Sequence, residues 1–113
     1  MEMTSPTTKL TITAGGKNIQ IDNGELKQTA SVFRAINHGL RQSMLKMLDE
    51  QKRMNVTDIY TRLKLEQSVA SQHLAILRRA GIVKTERESK EIYYSVNKPR
   101  LAHVEKIIEE LVR

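Results

Sequence analysis

The stretch from Leu63 to Val83, LKLEQSVASQHLAILRRAGIV, decides the fold. Val69, Leu74 and Leu77 recur at helical spacing, which predicts a helix over Gln67 to Ala80 with those three turned inward. Gly81 stands where helices commonly end in a left-handed residue, and Ile82 supplies the apolar group that often packs back on such a cap. Just before the helix, Lys64-Leu65-Glu66 reads as a tight turn. Before that turn, Thr57 suits an N-cap, Asp58 suits the positive end of a helix dipole, and Ile59 and Leu63 are four residues apart. These residues predict a short helix from Asp58 to Leu63. Two helices joined this closely are the plan of a helix-turn-helix.

With Val69, Leu74 and Leu77 inward, the outward face carries Ser68, Ser71, Gln72, Ala75 and Arg79, with Gln67 at its N-terminal end. No acidic residue occurs from Gln67 to Ala80. Such a face suits the major groove: glutamine can pair bidentately with adenine, and serine can donate or accept at several base edges. Small Ala70, Ser71 and Ala75 would let the backbone approach the bases, while Arg78 and Arg79 have the reach for phosphates. Ordinary solvated helices also carry acid-free polar faces, so the neighbouring elements matter.

Downstream, Val83, Thr85 and Arg87 alternate with charged neighbours, Glu88-Ser89-Lys90 interrupts, and Ile92, Tyr94 and Val96 resume the alternation. This predicts a β-hairpin whose tip is flanked by Arg87 and Lys90, as a wing against the minor groove or the phosphates requires. Glu88 and Glu91 in the same stretch fit a merely solvated turn. Between Arg62 and Glu91 seven basic residues face four acidic ones, a moderate electrostatic footprint.

Around this centre the apolar spacing predicts a helix from Gly24 to Asn37 and another from about Leu40 to Glu50, with Asn37-His38-Gly39 as a left-handed stop between them. Residues 52–56 read as a connector. Asn97 can cap a final helix with Pro99 in its first turn. That helix repeats Leu101, Val104, Ile108 and Leu111, and Ile107 with Val112 widens the stripe beyond one narrow seam. Leu26, Ala30 and Phe33 of the first helix offer a matching surface, so the expected partner is a second copy of the chain. The fold class expected is mainly α with a small β-hairpin wing, a winged helix-turn-helix, over residues 25–113.

Residues 1–24 are expected to form an arm or a hairpin: Leu10, Ile12, Ile19 and Ile21 alternate on either side of Ala14-Gly15-Gly16-Lys17, and residues 1–8 are polar. Gly16-Lys17 does not make a phosphate loop, because Thr11 stands where the motif needs its first glycine and Asn18 follows the lysine. The chain has 113 residues, net charge +6 and no cysteine, which excludes a disulfide framework and thiolate metal ligation. The basic excess lies wholly in residues 25–113 and suits double-stranded DNA. No apolar run long enough to span a bilayer and no export signal is visible, so a cytoplasmic location is expected. No catalytic motif is present, and His38, His73 and His103 lie in three separate predicted elements. No enzyme activity, metal or cofactor is therefore expected.

The Leu63–Val83 stretch, together with IYYSVN (Ile92 to Asn97) and AINHGLRQSMLKML (Ala35 to Leu48), resembles the ArsR-type winged-helix repressors. The resemblance spans about residues 25–112. It implies a homodimer joined through first and last helices, repression at a partly palindromic operator, and DNA contact by Gln67, Ser68, Ser71, Gln72, Arg78, Arg79, Arg87 and Lys90. The dimer seam it implies takes Leu26, Ala30, Phe33, Leu101, Val104, Ile108 and Leu111. Departures are visible: Gly39 stands where the family often has proline, Lys64 and Ser89 where it often has glycine, and Glu66 where it often has serine. The sensing residues of metal-responsive members are missing as well. The segment before the recognition helix reads Val56-Thr57-Asp58-Ile59-Tyr60, and Leu101 stands two residues before His103 where a carboxylate ligand would be. The effector is left unassigned. The competing reading is a winged helix used for protein–protein contact, its basic face merely solvated.

Overall fold

The structure, a computed structural model, describes residues 9–14 and 16–112. Strands β1 (Lys9–Ala14) and β2 (Lys17–Asp22) pair antiparallel and lead directly into α1 (Asn23–Ile36). Asp22 caps that helix, its Oδ1 accepting the N–H of Gly24 at 2.8 Å and of Glu25 at 3.2 Å. Then follow α2 (Gly39–Gln51), β3 (Met54–Asn55), α3 (Val56–Leu63), α4 (Gln67–Arg79), β4 (Val83–Glu88), β5 (Glu91–Val96) and α5 (Lys98–Val112). This is the winged helix-turn-helix order. Residues 1–8, and the side chains of Leu10, Ile12, Ile19, Ile21, Leu111 and Val112, lie outside the described residues.

The helices surround one apolar core in which Val32, Met44, Leu48, Ile59, Leu74 and Leu77 are fully buried. Truncating one such leucine typically costs about 2–5 kcal/mol, so these side chains fix how α4 sits on its neighbours. The second sheet has the order β3-β5-β4, with Met54 opposite Tyr94 and Thr85 opposite Tyr94 on the other side. Val83 of β4 is buried, which ties the base of the wing to the core.

Several local expectations are corrected. The segment 52–56 is not a plain connector, because Met54 and Asn55 form a short strand on β5. That pairing keeps the backbone extended as far as Asn55, and Asn55, not Thr57, caps α3 by accepting the Asp58 N–H at 2.8 Å. Asn37 is not left-handed (φ −76°), and Gly39 is the first residue of α2. The extended residue between the helices is His38, whose Nδ1 accepts the Leu40 N–H at 3.2 Å. Ala70 does not face outward. It is fully buried, and the inward face of α4 is Ala70, Leu74 and Leu77, with Val69 half-buried at its flank. The small side chain brings α4 close to its own neighbours rather than to a ligand.

Other junctions match the sequence. Lys64 takes the left-handed conformation (φ 57°) that turns α3 toward α4, and the Leu65 N–H reaches the Tyr60 carbonyl at 2.9 Å. Gly81 is left-handed at φ 78°, with its N–H on the Arg78 carbonyl (2.9 Å) and the Ile82 N–H on the Leu77 carbonyl (3.0 Å). A Cβ on Gly81 would meet the Arg100 Nε at 3.5 Å, an ordinary contact, so backbone conformation rather than crowding calls for glycine. Asn97 accepts the Arg100 N–H at 3.3 Å and donates to the Gly81 carbonyl at 3.0 Å, joining the end of α4 to the start of α5.

Candidate nucleic-acid interface

On α4, Ser68, Gln72 and Arg79 are exposed and share one ridge with half-buried Ala75, following spacings of four, three and four. Gln67, Ser71 and Arg78 are also exposed, Ser71 and Arg78 on the flank turned toward the wing. Between that flank and β5 runs a shallow groove of about 390 Å³ lined by Ser71, Ala75, Arg78, Arg79 and Tyr94. Glu66 starts the helix without a side-chain hydrogen bond to its N–H groups, so the carboxylate does not serve as a cap.

Register sorts the charges of the wing. Arg87 lies opposite Ile92 and Thr85 opposite Tyr94, and these four share the face that carries Tyr94 to α4. Glu86 and Glu88 alternate to the other face, where Tyr93 lies opposite Glu86. There Arg53, just before β3, bonds both carboxylates, at 3.5 Å to Glu86 and more closely to Glu88, and sits 4.1 Å from the Tyr93 ring centroid. Glu88 raises the Arg53 guanidinium above its ordinary pKa through that hydrogen bond. Two of the acids that weaken a basic reading of the wing are thus paired on its back, while Arg87 and the tip residue Lys90 are exposed. Ser89 makes the tip with φ 57°.

On the inner flank of α4, the rings of His73 and His38 lie 4.8 Å apart between centroids, tilted by 50°, and Arg41 lies 3.2 Å from the His73 Nδ1. Burial, then His38 and Arg41, push the His73 imidazole below its ordinary pKa, so it is neutral near pH 7 and can accept from Arg41. Two of the three histidines therefore meet in the fold, yet among the described residues no three His, Asp or Glu side chains come together as a metal site would need.

Residues 39–85, from the start of α2 into β4, match the profile described as "Bacterial regulatory protein, arsR family". Over 92 residues the chain is 34% identical to the transcriptional repressor PagR of Bacillus anthracis, covering 81% of this chain and 92% of that protein. The chain belongs to the ArsR family of bacterial regulatory proteins. The crystal structure of PagR superposes with a TM-score of 0.65 over 80% of this chain and 99% of that one, at 38% identity. An ArsR-like transcriptional regulator from Rhodococcus sp. RHA1 gives a TM-score of 0.73 at 25% identity, covering 78% of this chain and 82% of that one. A Mycobacterium bovis solution structure, described as a homodimeric winged helix-turn-helix DNA-binding domain, gives 0.65 at 27% identity, covering 79% and 82%.

A second surface is formed by α1 and α5, which pack on one another. Leu26 and Phe33 are exposed at 39% and 58% of their surface, with Ala30 half-buried between them on the same face. On α5, Leu101 and Ile108 are half-buried against the chain's own core, and Val104, 5% exposed, is taken up by that core. Val104 therefore stiffens α5 from beneath instead of lining a surface. His103 Nε2 lies 3.5 Å from a Glu25 carboxylate oxygen and links the two helices. The pairings of Arg53, Tyr93, Tyr94 and Arg41 escape sequence reasoning, because their partners lie thirty-two to forty residues away and no spacing announces them.

Proposed function

We propose that this chain is a homodimeric repressor that occupies a partly palindromic operator. Gln67, Ser68, Ser71 and Gln72 read base edges in the major groove, and Arg78, Arg79, Arg87 and Lys90 hold phosphates. The observation that carries this reading is the charge sorting around α4: an acid-free outward face beside a wing whose Arg87 shares the α4 side while Glu86 and Glu88 pair behind it with Arg53. A merely solvated surface has no reason to segregate its acids in this way. The unit that does this work is residues 25–113, with 1–24 as an appended arm. Two-fold pairing through Leu26, Ala30 and Phe33 of α1, with Leu101, Ile108 and Leu111 of α5, would set two α4 helices about 34–36 Å apart, one turn of DNA. The PagR and Mycobacterium bovis relatives, a named repressor and a named homodimeric DNA-binding domain, support the same reading.

Selection of bound duplexes from a random pool tests it. The expected product is an inverted repeat with half-sites about 10 base pairs apart centre to centre. A pool that never enriches returns the protein–protein reading of the fold.

A further inference from the structure

A second cavity lies on the flank of α4 that faces away from the wing. It has a volume of about 350 Å³ and brings together Arg34 of α1, Arg41 of α2 and Arg79 of α4, with the Ser31 hydroxyl, over a floor that includes Ala35 and Ile76. Three arginines line it with no acidic residue among the lining, and among the described residues none of the three makes an ion pair. Like charges gathered without a counter-charge repel one another, an arrangement a polyanion relieves.

Arg41 is held ready. Its Nε donates to the Ala35 carbonyl at 2.6 Å, and its Nη1 lies 3.2 Å from the neutral His73 Nδ1. These two bonds fix the plane of the guanidinium and leave the rest of its five donors available. A planar guanidinium held in this way suits the paired oxygens of a phosphate better than a mobile ammonium would. Arg34 and Arg79 are exposed and can close on the same anion.

Position decides which anion. Arg79 ends the outward ridge of Ser68, Gln72 and Ala75, and it lines both this cavity and the groove beside the wing. A nucleic-acid strand following that ridge passes from one groove to the other at Arg79. We propose that Arg34, Arg41 and Arg79 form a clamp for a DNA backbone phosphate, flanking the recognition helix opposite the wing, so that each protomer grips the duplex on both sides of α4. The proposal rests on the DNA-binding reading above. The clamp positions the helix and carries no base preference of its own.

Arg34→Gln is the test variant, because Arg34 is exposed and has no described partner whose loss would disturb folding. Binding to the selected duplex is measured by fluorescence anisotropy across a salt series, with thermal melting to verify the fold. One phosphate lost per protomer should make the slope of log K against log salt less negative by about 2, with roughly tenfold weaker binding on specific and non-specific duplexes alike. Wild-type binding with an unchanged slope in Arg34→Gln overturns the clamp and leaves the DNA-binding reading standing; a wild type that binds no duplex overturns that reading itself. Inorganic phosphate is also titrated calorimetrically into the DNA-free protein. A tight stoichiometric phosphate site that Arg34→Gln abolishes, with the salt slope unchanged, would make the cavity a receptor for a free anion and overturn the DNA source.

Discussion

The α4 side of the molecule and the α1–α5 side solve opposite problems with the same element, an amphipathic helix. On α4 the apolar face is used up internally, with Ala70, Leu74 and Leu77 fully buried, and only polar and basic groups remain outside. On α1 the chain buries Thr29, Val32 and Ala35 and still leaves Leu26 and Phe33 in solvent. The first face has exposed donors and positive charge but no large apolar side chain to lose; the second keeps Leu26 and Phe33 exposed among charges of both signs. A polyanion suits the first and a matching apolar surface suits the second. One small domain can thus hold two unlike partners apart because each helix has already satisfied the core with its other side.

The largest effect should come from the apolar side. Leu26→Glu with Phe33→Glu places charge in the proposed seam, and sedimentation should show monomers whose affinity for a two-half-site operator falls by roughly a hundredfold or more. Helical circular dichroism should be retained at 25 °C, since both positions are exposed in the single chain, while the melt falls and loses its dependence on protein concentration. A dimer that survives the double substitution would move the seam elsewhere.

On the polar side, Gln72→Ala should cost about 1–3 kcal/mol on the selected duplex and relax its sequence preference. Arg87→Ala should weaken all duplexes more evenly. Sequence preference unchanged by Gln72→Ala would mean that another element reads the bases.

A smaller effect is expected from Arg53→Ala, which touches no DNA in this account. It returns the charges of Glu86 and Glu88 to the wing and should weaken every duplex severalfold at low salt, less so at high salt. The loss should shrink when Glu86→Gln and Glu88→Gln are already present, and an additive cycle would refute the pairing as its cause.

The smallest effect concerns pH. His73 is held below its ordinary value of about 6.5 by burial, then by His38 and Arg41. The unfolded chain therefore takes up a proton there before the folded one, and stability present above pH 6.5 is lost as pH falls toward the folded pKa. Thermal melting between pH 7.5 and 5.5 should show this decline, reduced in His73→Gln. An equal decline in the variant assigns it to other groups.

Much of this was legible in the chain, and the part that was not has a common cause. The helix-turn-helix, the wing, Gly81 and the Asn97 cap follow from spacing and from residues that act on their immediate neighbours. Val69 is larger than the neighbouring Ala70 yet only half-buried, so a wheel centred on Val69 rotates α4 away from its true inward face. Asn55 won over Thr57 as the α3 cap because a strand partner nearly forty residues later, Tyr93, fixes the backbone there. Arg53, Arg41 and Arg34 gain their roles only from distant partners or a shared cavity, and such groupings leave no periodic trace.

Sedimentation of the protein with a fluorescent duplex carrying the selected inverted repeat tests both sides of the molecule together. The account predicts two 13.0 kDa chains on each duplex, assembling without a populated one-chain complex and dissociating as salt is raised. One chain bound per inverted repeat, or a complex indifferent to salt, would contradict it.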